Sequence, residues 1–329
     1  MNKRMASHVA FIFAVAVILW GGSSKALAAH GPECIAPAKP GGGFDLTCKL
    51  LQSGLQETGL SKQPMRITYM PGGIGFIAYT AAITQRSTEG DTVVAFGGGS
   101  LLNIAQRKFG KYSESDVRWL AAIGTDYGML AVRKDSPYQN LQDLIAALKN
   151  DPRKVTIGVA GKVGSQDWLK CALLAKQIGV DHEAIRYVTF EGGGEVLSAL
   201  LSGHVEVISG DVFEVSPHVS AGSVRILAVF SDKRLPGKLS AVPTAREQGI
   251  EIVWPTIRGF YMGPKVSDAD YGRWKDLISR MLATKEFEKL REERGLFPFA
   301  MVGDGLDAYV KKTAAEYRMR AEEFGLLKN

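Results

Sequence analysis

The sequence predicts an α/β protein of two lobes, each a mainly parallel sheet flanked by helices. Three observations carry that prediction. Short apolar, β-branched segments alternate with segments of helical period, the pattern of strand–helix repeats. Glycine, 37 of 329 residues, gathers in clusters where a strand gives way to a helix. The alternation also restarts near residue 135, and a C-terminal piece is long enough to fold back on the first half.

The first residues set the compartment. Lys3 and Arg4 precede an apolar run over 9–20, and Ala26-Leu27-Ala28 follows as a small-x-small cleavage site. This reads as a secretory signal peptide over 1–28, too short for a membrane span; the alternative is an uncleaved anchor. Its removal takes away Lys3, Arg4 and Lys25 and no acid, so the net charge falls from +6 to +3. A balance this mild does not point to nucleic acid, and no nucleic-acid partner is expected. The mature chain, 46% hydrophobic over the full sequence, is long enough for two sizeable cores.

The elements then follow in order. Residues 34–36 form a strand, Pro40-Gly41-Gly42-Gly43 its turn, and the next helix puts Phe44, Cys48, Leu51 and Leu55 on one face. A strand over 66–70 meets the turn Pro71-Gly72-Gly73-Ile74-Gly75 and an alanine-rich helix. A buried strand over 92–96 ends in Gly97-Gly98-Gly99-Ser100, with helix from 101 onward. After the turn Asp135-Ser136-Pro137, Asn140 caps a helix over 141–149, and 155–159 is a strand. The turn 161–164 opens a helix over 165–178 with Trp168, Leu169 and Leu173 inward. A strand over 186–190 leads through Gly192-Gly193-Gly194 into a helix over 195–202. Strands at 205–209 and 225–230 follow, then a strand near 259–262 and helices near 268–282, 284–294 and 305–324. The expected division is lobe 1 over 29–131 plus 255–329, and lobe 2 over 132–254.

In open parallel sheets ligands bind beyond the carboxyl ends of the strands. The turns at 40–43, 97–100, 161–165 and 191–194 fall there, two from each lobe. Bare backbone at a strand-to-helix turn brings N–H groups close to an anion at the positive end of the helix dipole. Lys39 adds a full charge. In an oxidising compartment Cys34 and Cys48 are the natural pair across the first turn, with Cys171 left over; the alternative is three free thiols. Cys171, at core spacing in a helix, reads as a small buried hydrophobe and not as a nucleophile.

No catalytic constellation emerges. The histidines, His8, His30, His182, His204 and His218, lack metal-ligand spacing. The stretch 158–162 lacks the spacing of a phosphate loop, and Gly97-Gly98-Gly99-Ser100 is not a nucleophile elbow. Neither a cofactor nor a metal is expected. Backbone donors without chemistry are what a receptor needs.

From about residue 34 to its C-terminus the chain resembles the periplasmic solute-binding proteins of tripartite tricarboxylate transporters. The resemblance rests on Pro40-Gly41-Gly42-Gly43-Phe44-Asp45, Pro71-Gly72-Gly73, Gly97-Gly98-Gly99-Ser100 and Gly164-Ser165-Gln166-Asp167. It continues through Phe190-Glu191-Gly192-Gly193-Gly194, Val207-Ile208-Ser209-Gly210-Asp211, and Ala228-Val229-Phe230-Ser231 followed by Val242-Pro243-Thr244. It implies a periplasmic binding protein of the Venus flytrap kind, type II-like, whose lobes close on a carboxylate. It further implies a monomer that delivers its ligand to a permease of one large and one small membrane subunit.

Lys39 before the glycines, Ser165-Gln166-Asp167, the cysteine pair and the segment 254–261 look closest to the citrate-type receptors. The expected ligand is therefore citrate or a related tricarboxylate. The alternatives are a dicarboxylate or aromatic acid, or a periplasmic protein that senses its ligand. The expected site pairs Lys39 and Arg258 as cations, Arg258 gripping a carboxylate bidentately. Ser100, Ser165, Gln166 and the amides of Gly42, Gly43, Gly99, Gly193 and Gly194 supply neutral donors, with Phe44 in the first turn. Asp45, Asp167 and Asp211 orient turns and waters or accept from a ligand hydroxyl. The competing readings are a solvated lysine for Lys39, a hinge salt bridge for Arg258 and helix capping for Asp45.

Overall fold

The computed structural model describes residues 31–61 and 63–327, so the signal peptide expected over 1–28 lies outside the described residues. The first half runs β1 (Glu33–Ala36), α1 (Gly43–Glu57), β2 (Arg66–Tyr69), α2 (Phe76–Thr84), β3 (Thr92–Phe96) and α3 (Gly98–Ala105). A long strand, β4 (Arg118–Arg133), leads to α4 (Leu141–Asn150), β5 (Thr156–Ala160), α5 (Gln166–Ile178), β6 (Arg186–Phe190) and α6 (Gly193–Leu201). Next come β7 (Val207–Asp211), α7 (Val212–Ser220) and β8 (Val224–Val229). The chain returns through β9 (Pro255–Met262), α8 (Asp268–Leu282), α9 (Lys285–Glu293), β10 (Met301–Val302) and α10 (Asp304–Glu323).

Local chemistry places most of these ends. The Asn140 side chain accepts from the Asp143 amide and starts α4, as its position before the apolar period predicts. Ser165 does the same for α5 through the Trp168 amide, and Gly179, at φ 72°, ends that helix in the left-handed conformation. The glycine cluster at 97–100 is not wholly a turn: Gly98, Gly99 and Ser100 already form the first turn of α3.

The strands pair in the order β2-β1-β3-β9-β4-β7-β5-β6, with β8 and β10 also paired to β4. Two parallel triplets are present, β2-β1-β3 and β6-β5-β7. Between them the ladder is antiparallel, at β3·β9, β9·β4 and β4·β7. The ten-stranded sheet is therefore mixed as a whole, while each half keeps the parallel strands expected of its lobe. The cause is β4, one unbroken strand of 16 residues. Its residues 118–127 pair with β9, whereas residues 128–133 pair with β7 and β8. A chain that crosses between lobes in one strand must meet its returning neighbours head to tail. The sequence shows no alternation over β4 because nearly all of it is buried on both faces, so strand and helix read alike there.

One continuous buried core runs through both halves. Phe96, Trp119 and Tyr261 meet edge to face in the first, with ring centroids 4.7 and 5.6 Å apart. In the second, Trp168, Leu169 and Cys171 of α5 pack beside Val159 of β5, all buried. Burial pushes the Cys171 thiol up to about 12, which leaves it an inert core residue. Among the described residues no helix is long and apolar enough to cross a membrane.

Cys34 of β1 and Cys48 of α1 form a disulfide with a Cα–Cα distance of 5.7 Å, both side chains fully buried. It ties the strand to the helix on either side of the glycine turn. Closing a loop of this length restricts the unfolded chain by about 3 kcal/mol in the chain-entropy account. Replacing both cysteines with serine is expected to lower unfolding free energy by about 2–4 kcal/mol. Urea unfolding of the double variant checks this, and a loss below about 1 kcal/mol would refute the bracing role.

Candidate functional site

Four helices start from strand ends and point their N-termini at one place. Gly42, Gly97 and Gly192 are the N-caps of α1, α3 and α6, and none has a side chain to bind the first amides. Uncapped first-turn amides seek an acceptor from outside the helix and carry the positive end of its dipole. The fourth, α5, is capped by Ser165. Between these ends lies a cavity of about 40 Å³, lined by residues 42–44, Gly99, 165–167 and 191–193. All four expected turns thus converge. The space has room for only a few water molecules.

The cavity also brings in Glu191 and Gly192 of the expected fourth turn, and residues that sequence reasoning missed: Ala38, Ile74, Asn103, Ala160 and Glu214. Ile74 has a left-handed backbone (φ 50°, ψ 50°), a conformation costly for a β-branched side chain, and it packs beside Gly99 and Gly161. Its sequence signal was only the surrounding Gly72-Gly73 and Gly75. Glu214 stands three residues after Asp211, the spacing of a capping box, and that pattern could have revealed both α7 and this residue. Its carboxylate does not cap α7. Its Oε1 instead accepts from the Gly43 amide at 2.8 Å, at the N-terminus of α1.

Arg258 of β9 is buried, and its Nη2 donates to Asp126 Oδ2 at 2.8 Å and Asp211 Oδ2 at 2.7 Å. Its guanidinium lies flat against the first turn: a Cβ on Gly43 would sit 2.4 Å from Nη1. Lys170 of α5 is fully buried, and its Nζ donates to Gly210 O at 2.6 Å and Asp211 Oδ1 at 2.9 Å and pairs with Asp167 Oδ1 at 2.9 Å. Burial alone would raise Asp211, yet Lys170 and Arg258 hold it below the usual carboxylate range. Burial, only partly offset by Arg258, pushes Asp126 up to about 6. Lys170 keeps its charge because Asp167 and Asp211 outweigh the effect of burial.

Several expected site residues lie elsewhere. Lys39 is at the surface, paired with Glu195 Oε1 at 2.5 Å, and does not line the cavity. Asp45 is buried under the first turn, where its Oδ2 accepts from the Gly41 amide at 2.6 Å and its Oδ1 from Tyr69 Oη at 2.9 Å. Ser100 is buried facing Gly75, and Gly194 packs on the backbone of residues 40–42. Asp211 sits behind the wall, where it also accepts from Gln166 Nε2 at 2.9 Å. Gly42, Gly43, Phe44, Gly99, Ser165, Gln166, Asp167, Gly193 and Arg258 do line the cavity.

Glu214 gives the site a pH dependence. Burial pushes its carboxyl up to about 7, with Arg258 opposing and Asp211 and Asp167 adding to the rise. A carboxyl whose folded pKa exceeds its unfolded value binds its proton more tightly when folded, so its contribution to stability is lost as pH rises toward about 7. Glu214→Gln is therefore expected to flatten the fall in stability between about pH 5 and pH 8. Asp126 leaves part of that slope in place. Urea unfolding across this range checks it, and identical slopes in both proteins would refute it.

The sequence profile described as "Tripartite tricarboxylate transporter family receptor" matches residues 49–326. A UPF0065 protein in the gbd 5′ region of Cupriavidus necator is 26% identical over 298 residues, covering 88% of this chain and 85% of that protein. Protein BugT of Bordetella pertussis is 25% identical, covering 75% and 74%. Among solved structures, the periplasmic binding protein BugD has a TM-score of 0.80 at 19% identity, covering 91% of this chain and 99% of its own. MatC of Rhodopseudomonas palustris, solved with bound malate, has a TM-score of 0.75 at 22% identity, covering 88% and 98%. An R. palustris protein solved with adipate scores 0.77 at 23% identity, covering 90% and 97%. At these identities the structures establish the two-lobed α/β fold.

Proposed function

The chain belongs to the receptor family of tripartite tricarboxylate transporters, and on that premise we propose that it is a periplasmic receptor for a small organic carboxylate. Its members are binding receptors and not enzymes. The lobes, divided as 29–131 plus 255–329 and 132–254, part to admit the ligand and close on it. The closed protein then presents the ligand to a permease of one large and one small membrane subunit. The observation that carries this reading is the convergence of three helix N-termini, those of α1, α3 and α6, whose N-cap glycines have no side chain of their own to cap them, on a single cleft. Backbone amides held this way bind a carboxylate without needing a cation for every charge.

Of the ligand classes expected from the sequence, the charge of the site favours a dicarboxylate over citrate. Lys39 is spent on Glu195, and Arg258 is shared between two aspartates. A trianion would therefore enter a cleft whose cations are already compensated. Malate and adipate, seen in two fold relatives, are the first candidates to try beside citrate. Isothermal calorimetry with succinate, malate, adipate, citrate and tricarballylate tests the reading. Binding of a dicarboxylate more tightly than citrate is expected, and no binding by any of them would overturn the carboxylate receptor itself.

A further inference from the structure

The seat expected for a ligand carboxylate is already partly filled by the chain. Glu214 Oε1 accepts from the Gly43 amide, the first of α1, across the cleft. The carboxylate also lies against the start of α6: a Cβ on Gly193 would be 2.3 to 2.4 Å from its two oxygens and Cδ. Glu214 thus sits where two glycine turns meet, and it lines the cavity. Among the described residues it makes no ion pair, and its Oε2 lies toward Gly210, where an added Cβ would be 3.4 Å away. Around it the charges do not balance. Asp126, Asp167, Asp211 and Glu214 face only Lys170 and Arg258, which are already bonded to the three aspartates.

A carboxylate that is unpaired and open to a ligand cavity is costly unless the ligand answers it. We infer that Glu214 is a specificity-determining residue, holding the α1 amide with Oε1 and offering Oε2 to a hydrogen-bond donor carried beside the ligand's own carboxylate. The inference rests on the carboxylate-receptor reading and narrows it. The donor is an ammonium or a hydroxyl, and the ammonium gains more because it also offsets the acid excess. The ligand's carboxylates then take the amides of α3 and α6, which no side chain caps. An unsubstituted dicarboxylate would leave Oε2 unanswered.

Succinate, malate and aspartate differ only in the group at one carbon: none, hydroxyl or ammonium. Calorimetry at about pH 7.5 on the wild-type protein is expected to rank them aspartate, malate, succinate, with aspartate at least about tenfold tighter than succinate, the size of one charge-assisted hydrogen bond. Malate as the tightest ligand would support the inference with a hydroxyl as the donor. In Glu214→Gln, which keeps an acceptor for Gly43, the aspartate-to-succinate ratio should fall close to one while succinate gains. Glu214→Asp should restore part of the preference. Equal affinities for the three acids in wild type overturn the inference whether or not the variants fold. So does a preference for succinate that weakens as pH rises, which would make Glu214 a proton donor to the ligand. Discrimination unchanged in a folded Glu214→Gln also overturns it. If none of these acids binds, nor adipate or citrate, the receptor reading falls as well.

Discussion

Arg258→Ala is expected to destabilise the protein by about 3–5 kcal/mol, the usual cost of removing one partner from a buried ion pair. Arg258 is 4% exposed, and its two partners, Asp126 and Asp211, are 0% and 1% exposed. Truncation leaves both carboxylates in a low-dielectric interior, with Lys170 still serving Asp211 and only backbone amides serving Asp126. The guanidinium also fills the space beside Gly43 and Gly97, so its loss loosens the turns that form the cleft. Asp126 already lies high, at about 6. Without Arg258 it rises further, and its protonation on acidification then restores part of the stability. The deficit should therefore be larger near pH 7.5 than near pH 5. Urea unfolding at both values tests this. A deficit below about 1 kcal/mol, the range of an exposed pair, would show that the network contributes little.

Lys170→Met should cost a similar amount, about 3–5 kcal/mol, for a related reason. The methionine keeps the length of the stem, which runs past Gly128 where β4 passes from one half of the sheet to the other: a Cβ there would lie 2.6 Å from Lys170 Cδ. What disappears is the charge that Asp167, Asp211 and the Gly210 carbonyl share. Because Asp167 also lines the cavity, ligand affinity should change together with stability. Arg258 and Lys170 meet on Asp211, so the double variant should depart from the sum of the single losses by more than about 0.5 kcal/mol. Strict additivity in that cycle would mean that the two cations act independently, contrary to the geometry.

These effects concern residues that the sequence announced unequally. Arg258 stood out as a candidate ligand cation, and its competing reading, a hinge salt bridge, matches the bonds it makes to Asp126 and Asp211. Lys39 stood out through its place before three glycines, yet it turns outward to Glu195. Lys170 and Glu214 drew no notice. A lysine three residues after Asp167 on an otherwise apolar helix face is a readable i,i+3 pair, and Asp211 with Glu214 is a readable helix start.

What the sequence determined by itself is the part written in local chemistry. Helix periods, the Asn140 cap and the glycine turns all depend on residues a few positions apart, and the sequence offered Cys34 and Cys48 as a natural pair across one short loop. The four turns that meet at the cleft were legible for that reason. Only the tertiary structure decided how β4 runs through both halves of a mixed sheet, and which charges meet beneath the turns. Arg258 finds Asp126 across 132 positions and Asp211 across 47, and Gly43 finds Glu214 across 171. Such pairings follow from strand order and register, which bring distant segments together. A carboxylate's neighbours, and hence its charge, are settled only when that ladder has closed.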